Sequence, residues 1–269
     1  MTFANILILF IAAILGGTLN SVAGGGSFIG FPSLFYTGVP AVQANATNTF
    51  ALWPASLAAA WALKKELLRQ NRALLLVLGV TSFIGGTAGA ILLVSTPQKT
   101  FVQLIPYLLL VATLLFAFSP LINARIKQRA ATRSKEKTRE GFSSASLTGI
   151  AVLQLIIAIY GGYFGGGLGI LMLASLGVMG MEDIHEMNAV KNIMATFING
   201  VAIIMFIIFG TIVWPDALLM IVGSIIGGFG GSYYARKIDP RLIRGFVILV
   251  GTLLTLAFFF SWPPVLFHH

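Results

Sequence analysis

The chain has 269 residues, of which 57% are hydrophobic and only 9% charged, with 30 Gly and no Cys. A soluble domain carries about 25% charged residues, so an ordinary water-soluble globule is excluded and an integral membrane protein is expected. The formal charge of +9 does not point to nucleic acid: all but Lys99 and Lys191 of the 17 Lys and Arg fall in three short stretches, Lys64 to Arg72, Arg125 to Arg139 and Arg236 to Arg244. These stretches lack interleaved aromatics and match the basic loops that face the cytoplasm in membrane proteins. With no Cys, disulfides, thiolate metal sites and a cysteine nucleophile are also excluded.

A spanning helix needs about 20 apolar residues. In chain order, region 3–37 is apolar but broken by GGTLNSVAGGGSFIG. It reads as a re-entrant or broken hairpin with arms of about 10 to 17 residues, short for a clean crossing. No basic residues precede it, which favours a retained membrane segment over a signal peptide. Segments 43–62, 73–95 and 101–119 then read as crossings, the first with a polar opening. Residues 120–146, rich in Lys, Arg and Ser, read as a basic cytoplasmic linker. Region 147–181 is a second hairpin, broken by YGGYFGGGLGI, and crossings follow at 187–210, 215–235 and 243–262. The closing His268 and His269 are given no function.

The same order of features appears twice. Ala23-Gly24-Gly25-Gly26 aligns with Phe164-Gly165-Gly166-Gly167 at an offset of 141, and Asn45-Ala46-Thr47-Asn48-Thr49 with Asn188-Ala189-Val190-Lys191-Asn192 at an offset of 143. An internal repeat follows. Lys64, Lys65, Arg69 and Arg72 make the loop after the first crossing basic, whereas its counterpart, Thr211 to Trp214, has no Lys or Arg. Conversely 236–244 is basic and its counterpart 95–100 has only Lys99. Charge placement therefore puts the halves oppositely in the bilayer, with both termini outside the cytoplasm. The expected fold is an all-α polytopic membrane protein of two inverted-topology repeats, 1–119 and 147–264. Each holds a re-entrant or broken helical hairpin with a Gly-rich tip plus three transmembrane helices. The alternative is eight full spans in a parallel arrangement.

Short helices starting at Ser27 and Leu168 would bring two positive dipole ends, with unsatisfied N–H groups, toward mid-membrane, a setting suited to a small anion. The competing reading is close helix packing, which is the reading given to the glycines at 85–89 and 227–231. Asn45, Asn48 and Thr49 are spaced to share one helix face, as are Asn188 and Asn192. Lys191 is the one Lys or Arg inside an apolar span; a cation there faces protein, water or a ligand, or else snorkels to the interface. Its repeat equivalence to Asn48 favours the site. His185 and Glu186 are candidates for proton coupling, set against a solvated acidic loop. Asn20, Ser21 and Asn199 are expected to bond neighbouring helices.

Catalytic patterns are absent. Ser27 is not in a G-x-S-x-G elbow, Gly165 to Gly169 lacks the dinucleotide-binding spacing, and there is no H-E-x-x-H. No enzyme activity, cofactor or metal is expected.

The segments GGTLNSVAGGGSFIGFPSL, NATNTFALWPASLAAAW and NAVKNIMATFINGVAIIMFIIFGTIVWPDALLMIVGSIIGG together resemble the TauE/SafE family of sulfite exporter-like membrane permeases, over residues 5 to about 260. The resemblance implies transport of anions, sulfite or short organosulfonates, across the bacterial cytoplasmic membrane, with export as the default. Matched to that pattern, the substrate-binding candidates are Gly24, Gly25, Gly26, Ser27, Asn45, Thr47, Asn48 and Thr49 in one half and Gly165, Gly166, Gly167, Asn188, Lys191 and Asn192 in the other. Val190 stands where the first half has Thr47, so an asymmetric site is expected. The expected mechanism is alternating access around a midplane site; an anion channel, or a permease for a non-sulfur organic anion, is the alternative. The partners expected are a small anion and the lipid bilayer, with no nucleic acid and a homodimer left open.

Overall fold

In hydrocarbon a chain segment must close its own backbone hydrogen bonds, and within a single segment only a helix does so. The computed structural model describes residues 2–23, 25–133, 144–179, 181, 183–234 and 240–260, and every regular element among them is helical. In order these are α1 (Phe3–Ala23), α2 (Ser27–Tyr36), α3 (Ala41–Ala62), α4 (Lys64–Leu67), α5 (Arg72–Ser95), α6 (Gln98–Arg133), α7 (Ser144–Tyr163), α8 (Leu168–Val178), α9 (Ile184–Ile208), α10 (Trp214–Tyr234) and α11 (Pro240–Phe260). Among the described residues, four stretches are long and apolar enough to cross a membrane: Phe3–Asn20, Arg72–Ser95, Gln98–Leu115 and Glu186–Ile208. Many large apolar side chains on these and the shorter helices are exposed, such as Leu76, Ile156, Leu218 and Leu249, as a lipid-facing surface requires.

Both hairpins are present as helix, break and short helix, and the short arms begin at Ser27 and Leu168 as expected. The first long arm corrects the expected length: α1 has 21 residues, about 30 Å at 1.5 Å per residue, enough to traverse the hydrocarbon core. α7 has 20 residues, of which Thr148–Tyr163 form a shorter apolar stretch within the expected range. The two helices run through Gly16-Gly17 and Gly161-Gly162 because those glycines serve packing and do not break the helix. A Cβ on Gly17 would fall 2.2 Å from the Ser224 carbonyl oxygen, and one on Gly162 2.3 Å from that of Gly86.

These contacts show how the halves interlock. α1 packs along α10, and α7 along α5, so each long arm lies against a helix of the other half. Cβ atoms on Gly223 and Gly227 would meet the carbonyls of Phe10 and Ile14; those on Gly85 and Gly89 would meet the carbonyls of Leu155 and Ile159. In both pairs a four-residue step on one helix matches a four-residue step on the other, so the paired helices run in the same direction. Buried hydroxyls obey the repeat as well. Ser224 donates to the Ala51 carbonyl at 2.6 Å, and Ser82 to the Met194 sulfur at 3.6 Å, where Ala51 and Met194 are 143 residues apart.

α3 and α9 meet in the middle, where the Trp53 indole N–H donates to the Thr196 carbonyl at 3.0 Å. Trp53 and Thr196 are themselves 143 residues apart, the same offset. Two apolar clusters flank this bond, one around Phe28, Phe31, Leu34, Phe101 and Phe206, the other around Leu78, Ile157, Met172, Met194 and Ile198. α6 continues as helix through 120–133, making it 36 residues long and about 54 Å, so the linker begins as a helical extension. Residues 134–143 of the linker, with His268 and His269, lie outside the described residues.

The interlock predicts that Gly227→Ala, whose Cβ would lie 1.9 Å from the Ile14 oxygen, destabilises the protein by about 1–3 kcal/mol through overpacking. Gly79→Ala, with nothing within 4 Å, should be neutral or stabilising by up to about 1 kcal/mol. Thermal unfolding of the two variants in detergent separates these outcomes.

Candidate functional site

The two tips break their helices by different means. In the first, Gly26 has ordinary helical angles (φ −56°) but no room for a side chain: a Cβ would lie 2.5 Å from the Gly16 oxygen and 2.9 Å from Asn20 Cβ. In the second, Gly165 and Gly167 take φ of +76° and +74°, left-handed angles that favour glycine. The first turn of α2 is already partly closed, since the N–H groups of Phe28 and Ile29 donate to the carbonyls of Gly25 and Gly26. That leaves fewer donors for a ligand than an open helix end offers. Gly24 lies outside the described residues.

Asn48 and Lys191, equivalent by the repeat, each reach the start of the short helix in their own half. Asn48 is fully buried, its Nδ2 donating to Ser27 Oγ at 3.2 Å. Its Oδ1 has no hydrogen-bond partner and lies against Gly30, where a Cβ would sit 2.1 Å away. Lys191 runs along Gly169, one residue into α8, with Cδ 3.5 Å from the position a Cβ would take there. Its ammonium donates to Asn188 Oδ1 at 3.0 Å. No hydrogen bond joins Asn48 to Lys191 among the described residues. Each precedes the crossing partner on its own helix, Trp53 or Thr196, by five residues, about 7.5 Å of helix.

Asn45, one turn before Asn48, points the other way along the hairpins. Its Nδ2 donates to the Tyr163 carbonyl at the end of α7, 3.1 Å away, and its Oδ1 is buried without a partner. α3 thus touches both tips, one through Asn48 and one through Asn45, and Phe31 of α2 meets Phe164 of the second tip edge-on at 5.9 Å.

Two candidates from the same run turn elsewhere. Thr47 accepts the Val213 N–H at 3.0 Å, tying α3 to the turn before α10, and Thr49 donates to the Asn45 carbonyl of its own helix. Asn192 supplies a backbone carbonyl to the Thr196 hydroxyl. Asn20 bonds Ser56 of α3, the interhelical role expected of it. Glu186 sits in the first turn of α9, where Asp183 Oδ1 accepts its N–H; the side chains of His185 and Ser21 lie outside the described residues. Sequence reasoning missed Trp53 and Gly30. Their signals, a Trp in mid-span and a Gly one turn after Ser27, become readable only once α2, α3 and α9 are seen together.

The sulfite exporter TauE/SafE family profile matches residues 9–258. The chain belongs to this family. Curated relatives include a probable membrane transporter protein of Haemophilus influenzae, 27% identical over 92% of this chain and 92% of that one. Another is the probable membrane transporter protein ORF9 of a Sinorhizobium species, 26% identical over 95% and 93%. A third is the probable membrane transporter protein YfcA of Escherichia coli K12, 23% identical over 92% and 87%. No solved structure matches. With its apolar helices, the chain is a multi-pass membrane transporter.

The division of labour within the 45–49 run is testable. Thr47→Val leaves the half-buried Val213 N–H without its acceptor and should cost about 1–2 kcal/mol, while Thr49→Val, which loses only a bond within its own helix, should melt within about 0.5 kcal/mol of the parent. Equal melting shifts for the two would contradict the assignment.

Proposed function

We propose that this transporter is a secondary carrier of small oxyanions, sulfite or a short organosulfonate, exporting them across the bacterial cytoplasmic membrane by alternating access of two inverted halves. The observation that carries this reading is the matched reach of Asn48 to Ser27 and of Lys191 past Gly169. Equivalent positions in the two halves serve the positive ends of two short helices, and helix N-termini favour anions.

Inversion is supported by the parallel pairs. α10 begins after a loop without Lys or Arg and α5 after the basic 64–72 stretch, so α1 and α7, running alongside them, start from opposite faces. The linker then lies in the cytoplasm. With the halves inverted, Asn48 and Lys191 lie on opposite sides of the Trp53–Thr196 crossing, and the anion moves between two half-sites flanking the midplane. Substrate dehydration is offset by the hydroxyl of Ser27, the amides of Asn45, Asn48 and Asn188, and the helix ends. Lys191 supplies the net positive charge. Thr47, Thr49 and Asn192 shape α3 and α9 around the site. Glu186, with His185, stands at the start of α9 where a coupling proton would enter.

Purified protein is melted with sulfite, sulfate, thiosulfate, C2 sulfonates and carboxylates. A ligand bound only by the folded state adds about 2.7 kcal/mol at a hundred times its dissociation constant. Stabilisation by a sulfur oxyanion, lost in Lys191→Ala and Asn48→Ala, is expected. Stabilisation by carboxylates alone moves the substrate outside the sulfur class, and an unchanged sulfite response in Lys191→Ala removes Lys191 from the site.

A further inference from the structure

One end of the molecule carries a cluster of four interlocking rings. α2 runs from Ser27 toward the turn at residues 37–40, so Phe31 stands one helical turn closer to that end than Ser27, as Asn45 does relative to Asn48. Phe31 meets Phe164 edge-on at 5.9 Å and Phe101 at 6.4 Å, and Phe101 meets Tyr163 at 5.6 Å. Phe31 and Phe101 are fully buried, with Phe164 and Tyr163 nearly so. These four rings come from α2, α6, the end of α7 and the second tip, so they close the space between the tips over Asn45. Edge-to-face pairs of this kind hold together beyond their buried area.

Polar side chains tie the same end shut. Gln98 accepts the Val42 N–H at 3.0 Å and donates to Gln43, while the Tyr163 hydroxyl donates to Thr96 Oγ1 at 3.5 Å. The turn between α5 and α6 is thereby fastened to the start of α3. At the repeat-equivalent positions stand Met172 for Phe31, Ile243 for Phe101, Val22 for Tyr163, Ala23 for Phe164, and Glu186 and Pro240 for the two glutamines. The aromatic and amide chemistry is therefore confined to one end, whose turn at 95–100 carries only Lys99.

We infer that Phe31, Phe101, Tyr163 and Phe164 form the non-cytoplasmic gate of the pathway, latched by the Gln43–Gln98 pair. This rests on the transport reading above. It makes the aromatic end the barrier that must open for release, with the latch setting how often it does.

The chain has no Cys, so an introduced thiol reports alone. In Ser27→Cys protein, a membrane-impermeant methanethiosulfonate added at the non-cytoplasmic face should react slowly. Adding Phe101→Ala should raise the rate at least tenfold, and Gln98→Ala, which leaves the aromatic packing intact, several-fold. Adding Ile243→Ala, at the equivalent place in the other half, should leave it unchanged. The proposal is overturned if Phe101→Ala and Gln98→Ala react no faster than Ser27→Cys alone, or if Ile243→Ala accelerates the reaction equally. Labelling needs no substrate, so it tests the gate by itself. Failure of the oxyanion reading shows separately, as an absence of sulfite stabilisation in the parent protein.

Discussion

Everything in this molecule depends on backbone meeting backbone between its halves. α1 lies on α10, and α7 on α5, at distances that leave no space for a Cβ on Gly17, Gly89, Gly162 or Gly227. In a bilayer, helices gain little from hiding apolar surface from one another, and close approach at small residues supplies the association instead. Because each long arm is held by the other half, neither half folds as an independent body. Between these two glycine seams α3 and α9 meet, where the Trp53 indole N–H donates to the Thr196 carbonyl.

The seams account for both what the sequence disclosed and what it concealed. Apolar runs, breaks at Gly24 to Gly26 and Gly165 to Gly167, and the starts at Ser27 and Leu168 were all legible, because helix termination is a local matter of missing side chains and special angles. The reach of α1 and α7 was not. Gly16-Gly17 and Gly161-Gly162 look like breakers until Ser224 and Gly86 of the other half are seen to occupy the missing side-chain space. Thr47 shows the same limit at the site. The i, i+3, i+4 spacing set Asn45, Asn48 and Thr49 on one face and left Thr47 off it, yet only the tertiary structure reveals that Thr47 serves the Val213 N–H.

The sequence positions that match between the halves carry different chemistry. Asn48 is buried and neutral where Lys191 is half-buried and cationic, and Thr47 faces Val190 across the repeat. Interlocking aromatic rings fill one end, and the sequence has no aromatic residue at the equivalent positions of the other half. Under the proposed carrier mechanism, these differences in charge and in ring packing would give the two open states unequal energies.

Transport as proposed requires the halves to lie in opposite orientations, which a topology measurement decides. Single cysteines at Lys99, Thr211 and Gln70 are labelled in intact cells with an impermeant maleimide. Labelling of Lys99→Cys and Thr211→Cys from outside, with Gln70→Cys reached only after the membrane is opened, is the predicted result. Labelling of Gln70→Cys and Thr211→Cys from the same face would contradict inversion and the pathway drawn through it.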